Sequence, residues 1–167
     1  MADHYSPGNS STPQILVVDD DPSIRLLCVT SLTKAGYRVL QAEGSSEAMA
    51  LYSTATGPID LLLTDLFLPP PGFAVLSHGN QYPRVNGNDL VQQVLCVKKE
   101  LRVLFMSSHA LSHLANQGIM IEPERFLPKP FNVDYLLTRV AAALAAPPIA
   151  RAPHTAPVSA RGIKWVD

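Results

Sequence analysis

The amino-acid sequence predicts an α/β fold: a doubly wound, five-stranded parallel sheet with helices on both faces. Three observations carry that expectation. Runs apolar at every position, such as Ile15-Leu16-Val17-Val18 and Leu61-Leu62-Leu63, read as strands covered on both sides, as central parallel strands are. Stripes at helical spacing separate these runs, so strand and helix alternate about five times. The 15 prolines, roughly 9% against a typical ~5%, exclude a wholly helical bundle, because proline breaks helix interiors.

The elements follow in chain order. After the strand at Ile15 to Val18, a helix carries Ile24, Leu27, Cys28, Leu32 and Ala35 on one face and stops at Gly36. Arg38-Val39-Leu40 is a short strand, and Ser45 is placed to cap a helix bearing Ala48, Leu51, Tyr52 and Ala55. Asp60 to Thr64 is a third strand. Leu90, Val91, Val94 and Leu95 mark a third helix, and Val103-Leu104-Phe105-Met106 a fourth strand. A weaker helix spans Leu111 to Gln117, Phe126-Leu127 is the last strand, and Asn132 caps a helix carrying Leu136, Leu137, Val140, Ala141 and Leu144.

Composition narrows the function classes. Hydrophobic residues make up 47% of 167, too many for a wholly disordered chain. The polar residues 1–13 and the Ala/Pro/Arg-rich residues 147–167 read as disordered tails around one domain at 14–146. Thirteen basic residues against 14 acidic ones give no basic excess, so neither nucleic acid nor an anionic membrane is expected as a partner. The N-terminus lacks a signal-peptide pattern and no stretch suits a membrane span, so a cytoplasmic location is expected. Cys28 and Cys96 lie in apolar helical patterns and are read as buried free thiols of a reducing compartment.

In parallel sheets of this kind ligands bind beyond the carboxyl ends of the strands. Those positions hold Asp19, Asp20 and Asp21, then Asp65, then Ser107, Ser108 and His109, then Lys129 and Pro130. Carboxylates brought together repel unless a cation neutralises them, and oxygen-only ligands select a hard cation such as Mg²⁺. His109 and His113 have the i, i+4 spacing of a zinc pair, but no third ligand is evident.

Four segments resemble the receiver domain of two-component response regulators: Val17-Val18-Asp19-Asp20-Asp21-Pro22, Thr64-Asp65-Leu66-Phe67-Leu68-Pro69, Phe105-Met106-Ser107-Ser108 and Phe126-Leu127-Pro128-Lys129-Pro130-Phe131. The resemblance covers nearly all of 14–146 and implies a flavodoxin-like sheet with strand order 2-1-3-4-5. It implies phosphorelay signalling rather than turnover of a separate substrate. A phosphoryl group would pass from a sensor histidine kinase or phosphotransfer protein to Asp65, switching a surface that binds a downstream protein. Asp20, Asp65 and the backbone carbonyl of Phe67 would hold Mg²⁺, and Asp19 a metal-bound water. Lys129 would pair with the phosphoryl oxygens, Ser107 would turn its hydroxyl toward them, and Phe126 would move inward. The Lys129–Pro130 peptide would be cis.

The chain departs from the family in two places. About 14 extra residues, 71–84, separate Pro69 from the third helix; they are expected to form a lid or kinase-docking loop beside the pocket. Phe67 and His109 stand where the family flanks the attacking water, and a bulky Phe67 should hinder that water. Two other functions compete. Asp19-Asp20-Asp21-Pro22-Ser23 fits the DxDx(S/T) spacing of a haloacid dehalogenase-type phosphatase, which leaves Asp65 unexplained. A receiver-like binding module that is never phosphorylated is the other, and the intact Asp20, Asp65 and Lys129 argue against it.

Overall fold

A computed structural model describes residues 12–69 and 87–151. The elements are β1 (Gln14–Val18), α1 (Pro22–Lys34), β2 (Arg38–Ala42), α2 (Ser45–Thr54), β3 (Leu61–Asp65), α3 (Gly87–Val97), β4 (Glu100–Leu101), β5 (Val103–Ser107), α4 (Leu111–Asn116), β6 (Phe126–Pro128), α5 (Val133–Ala145) and β7 (Ile149–Ala150). A single 3₁₀ turn, Pro123–Arg125, precedes β6. The expected insertion at 71–84 and most of both expected tails lie outside the described residues.

β1, β3, β5 and β6 join β2 in a five-stranded parallel sheet of order β2-β1-β3-β5-β6. With the two-residue β4 left out of the count, this is the expected 2-1-3-4-5 order. Alternation along each central strand divides the core in two. Leu16 and Val18, Leu62, and Val103 and Phe105 face one side, where Ala48, Tyr52, Leu90, Val91, Val94 and Leu114 cover them. Ile15 and Val17, Leu61 and Leu63, and Leu104 and Met106 face the other, beneath Cys28, Leu32, Leu136 and Val140. This two-sided burial is why those strands read as unbroken apolar runs. Leu62 and Leu63 are fully buried, so truncating either to alanine would cost about 2–5 kcal/mol.

The helix ends show how three helices begin, one of them not as expected. Asp21 caps α1, its carboxylate accepting from the N–H groups of Ser23 at 2.8 Å and Ile24 at 3.3 Å. Asn132 caps α5 as expected, accepting from Tyr135 N–H at 2.8 Å. Ser45, expected to cap α2, is instead its first helical residue: Gly44 holds the cap position, and Glu47 reaches back to accept from Glu43 N–H at 2.8 Å. The acidic side chain one turn in thus fastens the residue before the cap, and no side chain caps the first turn itself.

The expected start of the C-terminal tail is also ordered in part. Ile149–Ala150 pairs antiparallel with Glu100–Leu101. Arg102 Nε donates to Ala146 O at 3.0 Å and Arg125 Nη2 to Pro147 O at 3.3 Å, so two arginines satisfy carbonyls where α5 ends. Ile149 packs on the core edge beside Leu101, which the proline-rich composition concealed.

Both cysteines are free, but only Cys28 is buried. The expectation for Cys96 fails because Leu90, Val91, Val94 and Leu95 already turn one face of α3 inward, and Cys96 is one step further round. Burial above all, with the Asp19 charge adding to it and Lys129 opposing, pushes the Cys28 thiol up to about 12. A thiol reagent in mildly alkaline buffer is therefore expected to label Cys96 and spare Cys28 until the chain unfolds. Equal labelling of both in the folded protein would contradict this packing.

Candidate functional site

β1 delivers Asp19 to the carboxyl edge of the sheet with no solvent exposure. All its polar groups are engaged. Its N–H donates to Ala42 O at 3.2 Å, and its carbonyl accepts from Arg25 Nη1 at 2.6 Å. Its carboxylate accepts from Asp21 N–H at 2.9 Å and from Lys129 Nζ at 2.7 Å. Asp20 is exposed, yet one carboxylate oxygen each from Asp19, Asp20 and Asp65 lie within 4.8 Å of one another. Asp21 stands apart as the cap of α1, so the acidic run divides by role.

Asp65 ends β3 and is aligned with Met106 of β5. Leu66 N–H donates to Met106 O at 2.8 Å, which holds the turn beyond Asp65 against the neighbouring strand. Lys129 Nζ lies 3.3 Å from Asp65 Oδ2, and Phe67 N–H donates to Asp65 Oδ1 at 3.4 Å. Gly87 opens α3 against this turn, donating its N–H to Leu66 O at 2.6 Å. A Cβ at Gly87 would collide with the Asp65 carbonyl oxygen and lie 3.2 Å from Leu66 Cα, so only glycine fits the approach.

Lys129 reaches the cluster from β6. Its N–H donates to Ser107 O at 2.8 Å, and the peptide to Pro130 is cis, as expected. Buried Ser107 accepts from His109 N–H at 3.1 Å through Oγ, which leaves the hydroxyl proton free to donate elsewhere. Phe126 is buried beside Phe105, its partner in the sheet.

The charges are unbalanced. Three carboxylates face one ammonium, because Lys129 is the cation that reaches Asp19 and Asp65 among the described residues. Burial raises Asp65 above the ordinary carboxylate range; Lys129 opposes that shift and Asp19 adds to it. Burial pulls Lys129 down, but its hydrogen bond to Asp19 and the charges of Asp65 and Asp19 win, so it ends above its usual value. The ammonium is thus held firmly charged, yet it cannot neutralise the cluster. An all-oxygen, anionic donor set of this kind suits a hard divalent cation.

At the rim, the rings of Phe67 and His109 meet edge to face with centroids 5.1 Å apart. His113 stacks on His109 at 5.3 Å, and its Nε2 lies 3.2 Å from the Gln117 amide. The histidine pair therefore belongs to an aromatic stack, and no third metal-binding side chain joins it among the described residues.

Sequence reasoning brought Asp19, Asp20, Asp65, Ser107 and Lys129 to one edge and the structure gathers them there. It missed Arg25, Thr64 and the reason for Gly87. Thr64, whose hydroxyl donates to Asp65 O at 3.0 Å, is the one polar residue in an apolar run before Asp65. That break in pattern was the available signal. Arg25 had none beyond its spacing from Asp21.

The response regulator receiver domain family matches residues 15–141. The transcriptional regulator RpaA of Synechocystis is 31% identical over 134 residues, 79% of this chain and 49% of its own length. The sensor kinase CckA of Brucella abortus is 24% identical over 131 residues, which is only 12% of that protein. The chain thus spans half or less of the length of these curated relatives. Among solved structures, the non-phosphorylated HemR receiver domain of Leptospira biflexa aligns with a TM-score of 0.58 and 29% identity, over 86% of this chain and 99% of that one. The chemotaxis regulator CheY4 of Vibrio cholerae shares the fold, with a TM-score of 0.60 and 24% identity over 80% of this chain and 99% of its own.

Because the folded value of Asp65 is raised, folding with Asp65 ionised is disfavoured. That penalty grows as pH rises from the ordinary carboxylate value through the raised one, and it is complete above. In metal-free buffer at neutral pH, Asp65→Asn should melt above the wild type, with the gap closing as pH falls through the carboxylate range. A gap that widens on acidification would contradict the reading.

Proposed function

The chain belongs to the response regulator receiver domain family, and on that premise we propose that it relays signals by accepting a phosphoryl group on Asp65. One observation carries the reading: Lys129 Nζ bridges Asp19 at 2.7 Å and Asp65 at 3.3 Å, inside a carboxylate cluster completed by Asp20. Asp65 is the nucleophile. Its carboxylate oxygen bonds to phosphorus as the bond from phosphorus to the donor's imidazole nitrogen breaks, and that nitrogen leaves in line. Such transfer depends chiefly on positioning and on neutralising phosphoryl oxygens. Lys129 takes one of those oxygens, and Ser107 donates its free hydroxyl proton to another. Asp20, Asp65 and the Phe67 carbonyl are the residues to hold Mg²⁺, with Asp19 holding a water. When bound, Mg²⁺ supplies the positive charge that Lys129 alone lacks.

The donor we propose is a sensor histidine kinase or a phosphotransfer protein, and the acceptor's output is altered binding to a downstream protein. The likeness to the receiver domain of the hybrid histidine kinase CckA supports a phosphorelay setting. Two free thiols favour the reducing cytoplasm, and no described helix is long and apolar enough to cross a membrane. The phosphatase alternative fits less well. Its DxD reading needs Asp21 in the site, whereas Asp21 is occupied in capping α1.

Incubation with acetyl phosphate and Mg²⁺ tests the proposal. The wild type should gain about 80 Da, one phosphoryl group of the kind this chemistry transfers, and Asp65→Ala should gain nothing. An equal gain in both would overturn it. The Phe67–His109 ring pair should also slow hydrolysis of the adduct by obstructing water aligned with phosphorus. Phe67→Asn should therefore shorten its lifetime severalfold, and a longer lifetime would count against the obstruction.

A further inference from the structure

Arg25 lies outside the residues assigned so far, yet it touches the site through its backbone. The side chain projects from the second turn of α1 and is mostly covered, 13% exposed. Nη1 donates to the Asp19 carbonyl at 2.6 Å, a short charge-assisted bond, and Nη2 reaches Glu43 Oε1 at 3.1 Å. Glu43 follows β2, and its N–H is held by Glu47 of α2. Asp19 N–H is tied to the same strand end through Ala42 O at 3.2 Å. The Asp19 N–H is thus fixed by β2 and its carbonyl by Arg25 of α1, itself paired with Glu43 beyond β2, while its carboxylate is fixed from the Lys129 side. Asp20 is the next residue, and its exposed side chain has no such restraint of its own among the bonds described.

We propose that Arg25 is a positioning residue, clamping the Asp19 carbonyl so that Asp20 presents its carboxylate beside Asp65 for a divalent cation. The inference rests on the receiver reading and deepens it. The Glu43 end of the bridge is 76% exposed, so the ion pair itself contributes little to stability. The consequence of Arg25 lies in the shape of the acidic turn. A planar fork bonded at both ends restricts that turn in a way a lysine cannot reproduce.

Charge and position make opposite predictions here. Removing a cation near three carboxylates should, by Coulomb's law alone, tighten binding of a divalent cation. Loss of a clamp should weaken it, and groups that orient metal ligands typically change affinity by about 10- to 100-fold. The test is calorimetric titration of Mg²⁺ into the full chain as wild type, Arg25→Met and Arg25→Lys, with the metal-free melting temperature of each. The expected result is affinity weakened about tenfold in Arg25→Met and less in Arg25→Lys, with metal-free melting lowered only as far as the loss of one hydrogen bond to the Asp19 carbonyl lowers it. Should Arg25→Met not fold, Arg25→Lys carries the test, because charge alone predicts no change there. Unchanged or tighter Mg²⁺ binding in either folded variant, or weakening that merely tracks lost stability, would overturn the proposal. A wild type that binds no Mg²⁺ and takes no phosphoryl group from acetyl phosphate would instead overturn the receiver reading itself.

Discussion

Like charge gathered at one edge of the sheet is the constraint on which the rest of the structure depends. Asp19, Asp20 and Asp65 hold carboxylate oxygens within 4.8 Å of one another, and Lys129 is the ammonium that answers them. Each buried carboxylate costs several kcal/mol in lost hydration, which an ion pair recovers only with good geometry and further hydrogen bonds. Asp19 meets that condition, with a lysine and a backbone N–H on its carboxylate. Asp65 meets it less fully, and burial raises its proton affinity accordingly. The site is held in an unfavourable state that a divalent cation can relieve, as functional sites often are.

The fold makes that state tolerable. Parallel pairing brings the ends of β1, β3, β5 and β6 to one edge, although the residues they carry are far apart in sequence. Two apolar layers anchor the strands from both faces, so the repulsion is borne by a rigid frame. The turns leaving the strands are then fastened individually. Leu66 is held by β5, Gly87 packs against the Asp65 carbonyl, and Arg25 and Ala42 hold the backbone of Asp19. The charged groups have little freedom to separate.

Much of this was legible in the sequence. Two-sided burial leaves unbroken apolar runs, so β1, β3 and β5 declared themselves, and the strand-end rule then pointed to Asp19, Asp65, Ser107 and Lys129. What escaped detection depends on geometry between segments. Asp21 and Asp20 are the same residue type one position apart, and only the start of α1 makes the first a cap. Ser45 looked like a cap because a hydroxyl before an apolar stripe usually is one; the helix instead starts at Ser45 itself, with Gly44 in the cap position. Cys96 differs from a buried position by one helical step. The pairing of Ile149–Ala150 with Glu100–Leu101 joins residues about 50 apart, with no local pattern to announce it.

If the unbalanced cluster is what the structure is organised around, a divalent cation should stabilise the folded chain by binding there, in proportion to its concentration over its dissociation constant. The most direct measurement is the melting temperature of wild type and Asp20→Asn across a Mg²⁺ titration at neutral pH. The wild-type value should climb with Mg²⁺ and level off, while the Asp20→Asn value stays nearly flat. A wild type indifferent to Mg²⁺, or an Asp20→Asn variant that climbs equally, would contradict the account.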